Sequence, residues 1–298
     1  MCIRDSPSTL MEPAFKLLEI SEKLHSLPQQ QLEDLTNFPI DGFRGYTGSK
    51  TYDATGLSVA EKYRHYQSFE LGRSSKPFDP PTLRKDLKGV LNCPNVWPTG
   101  IVNTVKEAEQ CYDAFTSVAL DILSDVLSTD RDSLESYFSV PTGNLRLLKY
   151  VDSDVSNIPM HTDYEFITLI HASRPSLVVE NSNSISALGE SLDNLIVLAG
   201  DSLDFLTNSE IRRIRHGAKP SGLRYSNVFF LCSNADVQIN NQREFIITCD
   251  SRQYFSPASH TLGMNLANNH ALRERFRGTS VEKTVPSNLS NPFDTNED

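Results

Sequence analysis

The 298 residues include 28 Lys and Arg against 38 Asp and Glu, a net charge of −10, with 38% hydrophobic and 22% charged residues. That balance excludes a wholly disordered chain, and basic residues scattered under an acidic excess exclude a nucleic-acid or anionic-membrane surface as the partner. Five cysteines (Cys2, Cys93, Cys111, Cys232 and Cys249) are odd in number, widely spaced and form no C-x-x-C pair. Neither a disulfide framework nor a zinc knuckle fits them, so a reducing, cytoplasmic setting is expected.

Taken in chain order, Met1 to Ser6 joins poorly onto the next residues, and residues 1–10 read as a disordered leader without the apolar stretch of a secretory signal. No apolar run approaches the roughly 18 residues that span a bilayer. Residues 11–280 read as a single domain, of which 11–140 are helical and mixed. Helices are expected at about 14–25, 59–70 and 131–138. The clearest one runs from Thr104 to about Ser128, where Val105, Ala108, Cys111, Tyr112, Phe115, Ala119, Ile122 and Leu123 form one stripe. Thr104 and Glu107 have the spacing of a capping box at its start. From Leu145 the texture changes to short β-branched and aromatic runs separated by turn residues, predicting strands at 145–151, 164–170, 176–180, 195–199, 203–207, 211–215, 224–232 and 244–249. Residues 141–250 thus read as a β core, 251–280 as a C-terminal segment and 281–298 as a polar tail. The fold class is mainly β with flanking helices, the strands closed as a sandwich or barrel.

The chemistry concentrates in this core. In His161-Thr162-Asp163, side chains at i and i+2 of a strand point the same way and can share one metal ion. Downstream come His216 and then Arg224-Tyr225-Ser226, followed by the apolar run Val228-Phe229-Phe230-Leu231. An Arg carried inward by an apolar strand requires an anion, and its planar fork matches a carboxylate, with the Ser226 hydroxyl as a further donor. Two histidines and one carboxylate on one face of a metal leave coordination positions open, the ligand set of non-haem Fe(II) oxygenases. His171 reads as packing or a cosubstrate contact, Asp201 as a turn residue fixing a hairpin, and His25, His65, His260 and His270 as surface or structural.

On these residues the sequence resembles the isopenicillin N synthase-like branch of the 2-oxoglutarate- and Fe(II)-dependent dioxygenases. Pro94-Asn95-Val96-Trp97-Pro98, the strand Leu145-Arg146-Leu147-Leu148-Lys149-Tyr150, Gly200-Asp201 and Leu206-Thr207-Asn208 come in the family's order. The resemblance implies a double-stranded β-helix, or jelly roll. It implies His161, Asp163 and His216 as Fe(II) ligands, Arg224 and Ser226 as the clamp for 2-oxoglutarate, and Tyr150 as a contact to cosubstrate or substrate. O2 would be the second cosubstrate, and a small organic molecule would be hydroxylated or desaturated by a monomeric enzyme. Two other readings share the fold: an oxidase that does not use 2-oxoglutarate, and a non-catalytic binding or sensor protein.

Overall fold

The computed structural model describes residues 8–35, 44–48, 66–73, 94–139, 143–151, 158–181, 184–188, 192–219, 221–234 and 237–247. Residues 1–7, the polar tail, His65, His260, His270 and residues 59–65 of the expected helix lie outside them; residues 8–10, expected within a disordered leader, instead open the first helix, with Leu10 fully buried in the core. Five helices are described: α1 (Ser8–His25), α2 (Gln29–Asp34), α3 (Val102–Leu127), α4 (Arg131–Phe138) and the short α5 (Asp201–Leu206). Among these residues, none of the helices is long and apolar enough to cross a membrane.

The core is a jelly roll of two antiparallel sheets. The larger has six strands, in the order β1 (Gly45–Thr47), β2 (Tyr66–Leu71), β3 (Asn144–Tyr150), β10 (Arg224–Leu231), β5 (Ile167–Ala172) and β8 (Ile196–Ala199). The smaller has four, β4 (Ile158–His161), β9 (His216–Ala218), β6 (Leu177–Asn181) and β7 (Ser184–Ala187). A separate hairpin joins β11 (Val237–Ile239) to β12 (Phe245–Ile247).

Period-two alternation gives the larger sheet two different faces. Leu145, Leu147, Leu169, Val197, Phe229 and Leu231 point outward and share one core with α1, α3 and α4. Leu148, Tyr150, Ile170, Ile196, Leu198, Val228 and Phe230 point into the barrel and meet Leu177 of the smaller sheet. The same parity governs polar residues. Asn227 is fully buried on the outer face and donates its amide to the Ala14 carbonyl of α1 at 3.1 Å. Its cross-strand neighbour His171 also faces α1, with its ring edge on Phe15 at 5.2 Å and Nε2 donating to the Leu192 carbonyl at 2.8 Å. His171 is therefore a packing residue, and its parity keeps it out of the barrel.

Several expectations need correction. Residues 66–70, read as the end of a helix, are strand β2: Tyr66 packs against the barrel interior, whereas Phe69 and Leu71 join the outer core. Residues 203–206 of the expected strand belong to α5, in which Leu203 and Leu206 share the apolar side, and Thr207 is its C-cap. Residues 211–215 form no strand, and the strand begins at His216. Asp201 opens a helix rather than fixing a hairpin. Helix α3 is capped at Ile101 without a side-chain bond, and the Thr104 hydroxyl instead accepts a hydrogen bond from Lys23 of α1 at 2.9 Å. Tertiary contact thus replaced the local cap.

His25 ends α1 beneath the sheet, 3% exposed, with Nδ1 2.8 Å from the Ser21 carbonyl and the Phe69 and Tyr225 rings beside it. Burial lowers its pKa from 6.5 to about 4. Above 6.5 both folded and unfolded states are neutral here; between 6.5 and about 4 only the unfolded chain takes up the proton, so stability falls as pH falls. The loss approaches ~3 kcal/mol by pH 4. Urea titrations at pH 7 and 4.5 should show a shallower loss in His25→Gln than in wild type; equal losses would disprove the assignment.

Candidate metal centre

Cross-strand register brings the two histidines together. His161, the last residue of β4, is the direct antiparallel partner of His216, the first residue of β9. Their ring centroids lie 4.5 Å apart. Asp163 comes just after β4 and completes the cluster, with one oxygen 3.5 Å from His161 Nε2 and the other 3.5 Å from His216 Nε2. Ligand atoms from all three lie within 4.8 Å of one another. Adjacent ligands about 2.1 Å from one metal ion sit about 3 Å apart, so small side-chain adjustments close the set.

The protonation states suit a cation. The Ile214 carbonyl can only accept, so His216 Nδ1, 3.1 Å away, carries the proton and Nε2 presents its lone pair to the cluster. Burial alone would raise the Asp163 carboxyl, but His216, His161 and the Thr168 hydroxyl, which donates at 2.6 Å, together hold it well below the ordinary carboxylate range. Glu165, buried next door, is pushed up to about 8 by that burial and by the Asp163 charge, and is mostly protonated at neutral pH.

The backbone bearing Asp163 is held from below. Asp201 N–H donates to the Asp163 carbonyl at 2.7 Å, Ser202 N–H to the Tyr164 carbonyl at 3.2 Å, and Gly200 N–H to the Phe166 carbonyl at 3.1 Å. So close is this approach that a Cβ on Gly200 would lie 2.0 Å from the Glu165 carbonyl oxygen. Asp201 and Gly200 were visible in the sequence only as a turn. Their work as the floor of the site depends on a contact across nearly forty residues of chain.

The clamp residues lie on the barrel face of β10. Arg224 and Ser226 share the parity of Val228 and Phe230 and are 1% and 6% exposed. Tyr150 is the direct partner of Arg224 across the β3–β10 ladder, and the guanidinium carbon stands 3.5 Å from the centroid of its ring. Tyr150 thus supplies a π face beneath the cation. Burial raises the Tyr150 hydroxyl far above its usual pKa, so it stays neutral. Thr168 escaped sequence reasoning because a threonine in an apolar strand carries no signal of the loop carboxylate above it.

Residues 142–233, which carry the cluster and the clamp, match the model of the 2OG-Fe(II) oxygenase superfamily. The sexual differentiation process protein isp7 of Schizosaccharomyces pombe is 27% identical over 189 residues, 60% of this chain and 46% of that protein. The chain therefore spans about half the length of this curated relative. A full-length Neurospora crassa protein, crystallised in complex with alpha-KG and thymine, superposes with a TM-score of 0.65 at 21% identity, covering 83% of each chain. The Arabidopsis thaliana dioxygenase for auxin oxidation 1, in complex with 2-oxoglutarate, gives 0.59 at 16% identity, covering 85% of this chain and 90% of that one. These likenesses bear on the fold, which agrees with the jelly roll described above.

Proposed function

We propose that the protein is an Fe(II)- and 2-oxoglutarate-dependent dioxygenase acting on a small organic substrate. The observation that carries this reading is one barrel holding both a His161–Asp163–His216 cluster and a wholly buried Arg224 stacked on Tyr150. A buried guanidinium demands an anion, and the fork with the Ser226 hydroxyl beside it matches a carboxylate.

In this reading His161, Asp163 and His216 would hold the iron. Asp163 needs no proton removed before binding, because its carboxyl is already ionised at neutral pH. Arg224 and Ser226 would hold the distal carboxylate of 2-oxoglutarate. Iron, when bound, supplies oxygen activation coupled to decarboxylation of 2-oxoglutarate to succinate and CO2, with oxidation of the substrate. Leu148, Ile170, Ile196, Val228 and Phe230 line the same interior and keep water from it. The net charge of −10 argues against nucleic acid as the substrate. The order of the motifs supports the isopenicillin N synthase-like branch, and the thymine held by the Neurospora neighbour supports a ring-sized substrate.

The test is turnover of the Fe(II)-loaded protein in air. Succinate should form from 2-oxoglutarate, and Arg224→Leu should raise the 2-oxoglutarate KM by roughly 10–100-fold, the equivalent of the ~1.5–3 kcal/mol of a charge-assisted bond. Oxygen uptake without succinate would point instead to an oxidase that does not use 2-oxoglutarate. An unchanged KM would remove Arg224 from the site.

A further inference from the structure

The residues of the metal cluster sit where sheet pairing is weakest. His161 closes β4, four residues long, and His216 opens β9, three residues long, and the ladder between these strands shifts register between Ile158 and His161. Beyond that irregularity a single residue pair joins the two strands, and Asp163 lies past the end of β4. Strand ends and bulges leave backbone groups outside the ladder, so the spacing of the three residues must be set from elsewhere.

Helix α5 supplies that hold through two carboxylates. Asp201 and Asp204, three residues apart, share one side of its first turn. The Thr162 hydroxyl, from the residue between His161 and Asp163, donates to the Asp201 carboxylate. Asp201 Oδ1 also stands 3.7 Å from Arg213 Nη1, while Asp204 Oδ2 accepts the Arg213 N–H at 2.8 Å. Arg213 is thus gripped by both carboxylates, through its side chain and through its backbone. The next N–H, that of Ile214, donates to the Ala199 carbonyl at 3.0 Å, and the Ile214 carbonyl accepts from His216 Nδ1 at 3.1 Å. The hold therefore passes from Asp204 to His216 along a short, bonded stretch of chain.

The turn that joins α5 to this limb is strained. Asn208 and Ser209 are consecutive residues with φ of 50° and 63°, the left-handed region that residues with a side chain disfavour. Asp204 keeps it closed: the Ser209 N–H donates to the Asp204 carbonyl and the Ser209 hydroxyl to Asp204 Oδ1, both at 2.8 Å. Strained backbone persists only where its surroundings over-determine it, and it collects at functional sites. The Arg213 side chain is 56% exposed, so its ion pair adds little stability by itself. The consequence of the arrangement is geometric.

We propose that Asp201 and Asp204 are positioning residues of the metal centre, a clasp that sets the distance between the limb bearing His161 and Asp163 and the limb bearing His216. Neither carboxylate belongs to the ligand cluster itself. The inference rests on the metal-binding reading above.

The test is anaerobic calorimetry of the metal-free full chain with Fe(II). It is paired with thermal melting and with the absorption spectrum of the Co(II)-loaded chain, whose bands report ligand geometry. Asp204→Ala should weaken Fe(II) binding by about three- to tenfold, less than the roughly 10–100-fold that follows loss of a direct partner of a ligand, because Asp204 acts through intervening backbone. Asp204→Asn, whose amide oxygen still accepts, should lose less. The double variant Asp201→Asn/Asp204→Asn, loosened on both limbs, should lose at least as much as Asp204→Ala, and the Co(II) bands should shift in both. Glu210→Gln removes a carboxylate that bonds Arg243 instead, and should leave the Fe(II) Kd within about twofold of wild type. Wild-type Fe(II) affinity and wild-type Co(II) bands in Asp204→Ala and the double variant, even with a lowered melting temperature, would overturn the proposal, as would an equal loss in Glu210→Gln. If Asp204→Ala does not fold, the double variant decides alone. Failure of wild type to bind Fe(II) would instead overturn the reading of the metal centre.

Discussion

Asp163→Ala should abolish succinate formation and strip the protein of iron. In the proposed ligand set Asp163 lies 3.5 Å from each histidine Nε2 and contributes the negative charge. Removing a mere hydrogen-bonding partner of a metal ligand costs roughly 10–100-fold in affinity or activity, so losing this ligand should cost at least about a thousandfold. The substitution also leaves the Thr168 hydroxyl, fully buried, without its 2.6 Å acceptor, at a further cost of about 1–3 kcal/mol to the fold. Asp163→Asn separates the two effects, because the amide keeps an acceptor for Thr168 but loses the charge. Iron content after anaerobic loading and succinate release measure the first effect; thermal melting of the metal-free protein measures the second. Retention of iron and turnover by Asp163→Ala would break the assignment of the metal centre.

Gly200→Ala, a change of one methyl group, should be nearly as damaging although Gly200 touches no ligand side chain. Backbone torsion is not the obstacle: φ is −98° and ψ −179°, extended values open to any residue. Space is the obstacle, because the added Cβ would lie 2.0 Å from the Glu165 carbonyl oxygen, 2.9 Å from its carbonyl carbon and 3.0 Å from the Asp163 carbonyl oxygen. All three atoms are backbone, so relief requires moving the 163–166 segment as a unit and stretching its bonds to Gly200, Asp201 and Ser202. Overpacking of this kind typically costs about 1–3 kcal/mol, and here the displaced segment carries Asp163, so Fe(II) affinity should fall by roughly 10–100-fold. Iron titration of the folded variant checks this. Wild-type affinity with only a lowered melting temperature would show that the turn supports the fold but not the metal centre.

Much of the site was legible in the sequence because strand alternation is a local rule. His161 and Asp163 at i and i+2, and Arg224 and Ser226 at the same spacing on an apolar strand, need no knowledge of the rest of the chain. That His161 and His216 are register partners depends on a strand pairing between residues 55 positions apart, for which spacing gives no cue. Helices α3 and α4 were read close to their observed ends, because their stripes are long or their caps explicit: the Asp130 side chain accepts from Ser133 N–H at 3.1 Å. The errors fell on short segments where apolar spacing fits two periods. Leu203, Phe205 and Leu206 suit a strand until the Gly200 turn, buried against residues 163–166, starts a helix. Tyr66 to Leu71 suit a helix until the β3 edge recruits them into the larger sheet. Arg146 sat in a strand recognised from its pattern, yet its ion pair with Glu70 could not be read, because Glu70 lies on a strand that had been taken for a helix.

Strand β10 separates two duties by parity alone. Asn227, Phe229 and Leu231 fasten the sheet to the helices, while Arg224, Ser226, Val228 and Phe230 face the barrel interior. For anyone seeking to retarget the protein to a new substrate, the strand is already partitioned. Libraries at Val228 and Phe230 vary the lining of the barrel interior, and each intervening position left untouched preserves the scaffold that makes such variation survivable.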